Sequence, residues 1–256
     1  MNRRTKLKTF ALALCLLAAA TVSARAQTPV APTSPSDVVR AYYNALKESR
    51  FRDAMMLSIL RPAVESLTPE ELKDFQTDFA RLSPTVPADF EITGEQLTGE
   101  EATVFVKTGE GKELKVEPVN LFRERGAWVI GDREGAAAVK KQGKKFFTEQ
   151  RIAAHEQDAE DMLRRIQAAQ LAYALQHSGS YGDLSALVRA GYVPQDILGT
   201  ETTGYRFTVQ IGSDAKSFTA RAEPERYGRS GRLSFYMDNS GLQKKDVGGK
   251  PLSPSK

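Results

Sequence analysis

The spacing of the apolar residues changes period along the chain, and this constrains the fold more than any other feature. In residues 35–82 apolar side chains recur at helical spacing, whereas in residues 90–130 they alternate with polar ones, as in strands. The same order returns in a long helical stretch at 148–176 and in alternating stretches between residues 205 and 237. We therefore expect an α+β fold of two domains, each combining helices with a small antiparallel sheet.

Capping and breaking residues mark the helices predicted in the first half. Ser34 is a candidate N-cap followed by a proline, which predicts a helix over residues 35–49. A second helix is predicted from Phe51 to Leu60, and Pro62 is expected to end it. A third helix should begin at the capping box that opens at Thr68.

Four strands are predicted after these helices. They are Phe90–Gln96, Ala102–Lys107, Glu113–Arg123 and Ala127–Ile130. Pro118 lies inside the third of them and has no N–H to donate. We therefore expect that strand to carry a bulge or to lie at a sheet edge at this point.

Three segments of the first half carry a resemblance to a known family. They are the run Ser36–Glu48, the helix start Phe51–Ala54 and the last strand, Gly126–Gly131. Residues 34–132 resemble the nuclear-transport-factor-2-like (cystatin-like cone) superfamily, most closely its small exported members of unknown function. The resemblance implies three helices with a curved sheet wrapped on a long helix, and a pocket inside.

That pocket should be lined by aromatic and apolar side chains, as ligand sites mostly are. The candidate lining residues are Tyr42, Tyr43, Met55, Met56, Phe122 and Trp128. Tyr42 resembles the oxyanion-holding tyrosine of ketosteroid-isomerase-like members of the superfamily. Such a site also needs a carboxylate base and usually a second, buried acid, for which the strands offer no convincing candidate. Because core packing explains the aromatic residues more simply, we predict no catalytic residue and no enzyme activity.

The second half carries a more specific resemblance. Its segments are Ile166–Tyr173, Gly179–Val188, Gly191–Pro194, Gly204–Phe207, Phe218–Ala222 and Tyr236–Leu242. Residues 148–246 resemble the globular head of a type IV pilin or pseudopilin, with a long helix packed on a small antiparallel sheet. Assembling pilins have a prepilin leader and an apolar half-helix, whereas here the corresponding place holds charged residues such as Lys144, Arg151 and Glu156. The comparison implies a pilin-like head used as a soluble module.

Its elements are predicted from residue spacing. A short helix at 184–190, stopped by Gly191, should follow the long helix, and strands are expected at 205–210, 217–222 and 233–237.

Residues 1–26 predict a secretory signal peptide. They hold five bases and no acid, an apolar core at Phe10–Ala20, and small residues at Ala24 and Ala26 before a predicted cleavage at Gln27. The apolar core is too short for a membrane span, so no stable span is expected after cleavage. Cleavage would also remove Cys15, the only cysteine. These features predict a bacterial envelope protein that is periplasmic or extracellular.

The net charge of the chain changes sign once residues 1–26 are removed. The whole chain has 36 bases, 32 acids and a net charge of +4, but loss of five bases leaves 31 bases and a net charge of −1. A basic patch indicates nucleic-acid binding only when it belongs to the folded part. We therefore expect no nucleic-acid partner.

The segments outside the two predicted domains are predicted to be linkers and a tail. Residues 27–33 and the basic stretch 133–147 are predicted as linkers, and residues 247–256 as a disordered tail. The run Lys140–Lys145 suggests solvated linker, or less favourably a contact with acidic lipid or a partner.

Polar residues of the second half are predicted to lie at the surface. The Arg226, Arg229 and Arg232 side chains suggest a cationic loop, His155 and His177 are expected to be exposed, and residues 238–241 are expected to form a turn. No cofactor motif and no metal site are predicted.

Together these features favour an exported, non-enzymatic envelope protein that acts as a binding or interaction module. Its partner would be another envelope protein or a small apolar ligand. Two alternatives remain: a small-molecule carrier or isomerase-like enzyme that uses the pocket around Tyr42, and an accessory factor of a type IV pilus or type II secretion system.

Overall fold

Two four-stranded antiparallel sheets, each with its own helices, succeed one another in the computed structural model of the chain. The structure describes residues 34–81, 87, 89–109, 111 and 114–253. The predicted signal peptide, its cleavage residues Ala24, Ala26 and Gln27, and the 27–33 linker lie outside the described residues.

The first half opens with short helices. They are α1 (Pro35–Lys47), α2 (Phe51–Met56), α3 (Arg61–Val64), α4 (Pro69–Asp74) and α5 (Gln76–Ala80). Both predicted capping boxes form, with the Ser34 and Thr68 side chains each accepting from the backbone N–H three residues on. The prediction for Pro62 is wrong: it stands at the start of α3, where its missing N–H costs no helical hydrogen bond.

Sheet A follows as a meander in which every strand pairs with the next. Its strands are β1 (Phe90–Thr98), β2 (Glu101–Thr108), β3 (Lys115–Glu124) and β4 (Ala127–Ile130). Short β4 pairs only with residues 121–124 of β3, so Pro118 has Phe105 of β2 on one side and no described strand on the other. This confirms the edge position expected of that proline.

Residues 133–147 form two helices joined by a short turn and not the predicted linker. Asp132 caps α6 (Arg133–Gln142), since its side chain accepts from the Gly135 N–H at 2.7 Å. Gly143 has φ +52° and connects this helix to α7 (Lys145–Gln176). A 32-residue helix is about 48 Å long. It therefore reaches from the helices of the first half across the whole second half.

Sheet B packs against α7. The second half contains α8 (Leu184–Arg189), a 3-10 turn (Gln195–Leu198) and the strands β5 (Tyr205–Ile211), β6 (Phe218–Pro224), β7 (Leu233–Asp238) and β8 (Gly241–Asp246). The turn at residues 238–241 is confirmed as the β7–β8 hairpin. The tail prediction is wrong for residues 247–253, because Leu252 is buried and its carbonyl accepts from Arg221. Residues 254–256 lie outside the described part.

Three apolar clusters hold these layers. One lies between α1 and sheet A around Val39, Val104 and Trp128, and a second lies between α7 and sheet B around Leu163 and Phe235. The third joins the short helices to α6 and to the start of α7; its buried members are Met55, Ala63, Val64, Phe75, Phe79, Val139 and Phe147.

Because α7 contributes to two of these clusters, it connects both halves of one compact unit. The α+β prediction with two sheets is confirmed. None of the helices described between Ser34 and Ser253 combines the length and the apolar composition that crossing a bilayer requires.

Candidate functional site

An open cleft of about 680 Å³, here called the central cleft, lies where the two halves meet. Its walls are α4 and α5 from the first half, α7, and the loops that precede β5 and connect β6 to β7. Most of its lining is charged: Glu70, Lys73, Asp74, Asp78, Arg81, Arg151, Glu201, Glu225 and Arg226. Such a composition suits a polar ligand or a polar segment of a partner better than an apolar one.

Arg151 of α7 forms the floor of the central cleft. Its side chain is only 5% exposed, and its guanidinium pairs with Asp74 at 2.6 Å and with Asp78 at 2.5 Å. It also donates to the Asp74 carbonyl at 2.7 Å and lies over the Phe75 ring, 4.0 Å from the centroid. Three acceptors and a ring face therefore satisfy a charge that would be costly to bury alone.

Asp74 is shared between this buried pair and the rim of the cleft. Its other oxygen lies 3.3 Å from Arg226, and Arg229 approaches within 3.9 Å. Burial raises the pKa of Asp74, but the hydrogen bonds and charges of Arg151 and Arg226 outweigh it and bring the pKa below its ordinary value. Asp74 is thus held ionised, and it anchors arginines of the second half to a helix of the first.

The predicted cationic loop, residues 225–232, is fixed against α7. Arg232 forms a two-fold pair with Glu149, at 2.8 and 2.7 Å. The backbone N–H groups of Arg232 and Leu233 both donate to Glu156. The three arginines of this loop therefore face carboxylates of the chain itself, and they hold the β6–β7 connection over the cleft.

His155 lies at the back of the cleft and is buried, so the prediction of a surface position is wrong. Its Nδ1 is 3.1 Å from the Ser230 carbonyl, and its Nε2 is 3.7 Å from Asp78. Burial lowers the pKa of His155, and Arg81 and Arg151 add to that effect against the opposing influence of Asp78 and the Ser230 carbonyl. Burial therefore favours the neutral ring, and the Ser230 carbonyl, which can only accept, favours the tautomer with the proton on Nδ1.

The loop over His155 requires glycine at position 204. Gly204 has φ +68°, and a side chain there would overlap the imidazole ring. Its N–H donates to the Thr200 carbonyl, and its own carbonyl accepts from the Glu225 N–H. Two loops of the second half are thereby joined directly above the histidine.

In the described part of the cleft, no nucleophilic side chain forms a hydrogen bond with His155. The Ser230 hydroxyl accepts from the Arg226 N–H at 2.9 Å and lies 3.3 Å from the Arg226 carbonyl. At the rim, Glu70, Lys73 and Glu201 form no salt bridge with any described residue. The charged side chains of the floor are thus paired within the protein. Those three rim side chains present charges of both signs to solvent or to a binding partner.

The residues predicted to line one pocket are distributed over three environments. Tyr43 and Trp128 belong to the cluster between α1 and sheet A, whereas Met55 and Met56 belong to the helical cluster around Phe79. Tyr42 packs edge-on against Tyr43 at 5.6 Å, and burial raises its pKa.

Phe122 lies on the opposite side of sheet A from Trp128. Arg123 opposes Trp128 across the β3–β4 pair, and Phe122 opposes Val129. Successive side chains of a strand point to opposite faces, so Phe122 and Trp128 face away from one another. Phe122 instead lines a groove of about 230 Å³ together with Ile59, Val129 and residues of α6.

Sequence reasoning missed the central cleft, because its members are distant in the chain. Arg151 lies 77 residues from Asp74 and 73 from Asp78. Gly204 directly precedes the strand predicted at 205–210, but its positive φ and its position over His155 are seen only in the structure.

No protein-family model, no curated protein and no solved structure matches the chain.

Proposed function

We propose that the protein is an exported, non-enzymatic interaction module that binds a polar segment of another envelope protein in the central cleft. The observation that carries this proposal is the contrast inside the cleft between a fully paired floor and rim charges that form no salt bridge with any described residue. Glu70, Lys73 and Glu201 are exposed, come from both halves of the chain, and surround an open volume of about 680 Å³. Charged rim groups of this kind steer association and select partners.

The fixed floor supports binding over catalysis. An acid or base catalyst needs a proton that it can exchange with a substrate, at a pKa suited to the working pH. Asp74 is held ionised by Arg151 and Arg226, and the Nδ1 proton of His155 is engaged by the Ser230 carbonyl. A rigid floor does, however, preorganise the rim, which lowers the entropic cost of binding a partner.

Site-specific photo-crosslinking in the native host tests this proposal. A photoreactive residue at Thr77, an exposed position in the cleft, should give adducts of defined mass. The matched control is Thr208, an exposed threonine on β5 outside the cleft, which should give none of them. Identical adducts at both positions, or none at Thr77, would contradict the proposal. Identification of a pilin-type subunit in the Thr77 adduct would favour the accessory role in a pilus or secretion system.

Export is tested separately by cell fractionation and N-terminal sequencing. We expect the protein in the periplasmic or extracellular fraction with Gln27 as its first residue. Retention in the cytoplasm with residues 1–26 intact would contradict this part of the proposal without bearing on the cleft.

A further inference from the structure

The groove beside Phe122, here called the Phe122 groove, lies on the face of sheet A that α1 does not cover. The apolar cluster under α1 contains Val104, Leu121 and Trp128, which share one face of the sheet. Phe122 and Val129 point to the other face, where α3 and α6 approach. Together with Ile59 and Pro62 they give this groove an apolar floor.

Three cations surround that floor, and two of them are positioned by contacts that leave their charge uncompensated. The Arg61 Nε donates to the Met56 carbonyl at 2.7 Å. Arg133 lies over the Phe122 ring, 5.1 Å from its centroid, and donates to the Arg123 carbonyl. Lys140 lies two turns after Arg133 on α6 and therefore on the same side of the helix.

None of these three cations forms a salt bridge with any residue the structure describes. The only carboxylate in the groove lining is Glu124, and it too has no described salt bridge. The groove thus combines an apolar surface with an excess of two positive charges. In the central cleft, by contrast, the deeply placed cation is paired on every side.

We propose that the Phe122 groove binds a small organic anion, a carboxylate or phosphate monoester on a short apolar tail. The tail would lie on the half-buried side chains of Ile59 and Pro62, above the buried Phe122 and Val129. The anionic head would lie between Arg61, Arg133 and Lys140. Guanidinium groups suit both head groups, because their fork of N–H donors matches two oxygens at once. A volume of about 230 Å³ is below the range of drug-sized pockets, which restricts the ligand to a short tail.

Isothermal titration of the purified protein with three six-carbon probes tests this inference. Hexanoate and hexyl phosphate differ in the head group, and hexanol has the same tail without a charge. We expect saturable, one-to-one binding of at least one anion and none of hexanol. The anion that binds more tightly identifies the head group. Acetate should bind at least about tenfold more weakly than hexanoate, because it cannot bury a tail on the apolar floor.

Substitutions on α6 distinguish the groove from general charge attraction. Lys140→Gln should weaken anion binding several-fold, and Arg133→Gln about tenfold or more, since arginine supplies the two-pronged contact. Lys141→Gln removes the same charge from the next residue, which does not line the groove, and should leave the affinity unchanged. Lys140 and Lys141 are both exposed, so neither change threatens folding.

Three results would overturn the inference. They are no saturable binding of either anion, equal losses in the Lys140 and Lys141 variants, and acetate binding as tightly as hexanoate. A circular dichroism melt of the Arg133 variant shows whether any loss of binding there reflects unfolding. If the Arg133 variant is unfolded, the binding affinity of the Lys140 variant tests the inference.

Discussion

The central cleft and the Phe122 groove are both lined by charged side chains, but these charges are compensated in different ways. In the cleft, Arg151 is almost fully buried and pairs with two aspartates and a backbone carbonyl. In the groove, Arg133 and Lys140 are exposed and form no described salt bridge. A buried charge must be compensated within the protein, whereas an exposed one is stabilised by water and stays available to a ligand. The comparison therefore separates charges that hold the architecture from charges that can recognise something else.

The largest expected effect is the loss of Arg151. Arg151→Ala would leave Asp74 and Asp78 facing one another at the floor of the cleft without their main cation. Removing one partner of a buried ion pair costs about 3–5 kcal/mol. Because the aspartates are 26% exposed and water can reach them, we expect the free energy of unfolding to fall by about 3 kcal/mol. Urea denaturation followed by circular dichroism measures it.

A matched control for that substitution lies on the same helix. Arg164→Ala removes an exposed arginine whose pair with Glu160 is a surface i,i+4 contact. Such pairs contribute about 0.3–0.5 kcal/mol, so this variant should unfold almost as the parent does. Equal losses in the free energy of unfolding would mean that the buried Arg151 pairs stabilise the protein no more than the surface pair does. The distinction between floor and surface charges would then be wrong.

Gly204→Ala tests the second structural feature of the cleft. At φ +68° a side chain is strained, and here it would also meet the imidazole of His155. We expect a loss of about 2 kcal/mol in the free energy of unfolding, from backbone strain and overlap together. In a His155→Ala background the overlap is gone, so the same glycine change should cost less. Additive losses in the double variant would show that the loop does not rest on His155.

Helices and strands of this fold could be predicted where a local sequence signal marks them. They could not be predicted where the amino-acid composition is not typical of the element. The Ser34 and Thr68 capping boxes lie within four residues, and both form as expected. The composition of α6, rich in alanine, glycine and lysine, predicts a linker and not a helix. The helix begins at an N-cap, Asp132, whose side chain accepts from the Gly135 N–H. Strand β8 is polar and exposed along its second half, so it lacks the alternation that marks a half-buried strand.

The placement of Phe122 could have been derived from the turn that follows it. Arg125 and Gly126 both have positive φ and form a two-residue hairpin loop, which fixes Glu124 opposite Ala127. That register places Phe122 and Trp128 on opposite faces, so they cannot share a pocket. The burial of His155 could not be derived in this way, because Ser230 and Gly204, which cover it, follow it by 75 and 49 residues. Such contacts are set by the packing of sheet B on α7.

Asp132→Ala should affect the Phe122 groove and spare the central cleft. The side chain caps the helix that carries Arg133 and Lys140, and loss of such a cap costs about 1 kcal/mol. We expect that loss in urea denaturation, together with weaker binding of the anionic probe in titration. Asp183→Ala is the matched control, since Asp183 caps α8 in the second half with the same geometry. It should cost a similar amount and leave anion binding unchanged; equal binding losses would contradict the groove assignment.

The smallest expected effect is the pH dependence contributed by His155. Burial lowers its pKa in the folded protein below the ordinary value of 6.5; Arg81 and Arg151 act in the same direction, against Asp78 and the Ser230 carbonyl. As the pH falls through about 6.5, the unfolded chain therefore takes up a proton more readily than the folded one, and stability declines. The lowered pKa of Asp74 makes its own contribution fade only near pH 3.8 and below, outside this window. His155→Gln should therefore lose less stability than the parent between pH 7 and pH 5. Parallel curves for the two proteins would show that the ring is not buried as a neutral group, and would place His155 among the exposed charges instead.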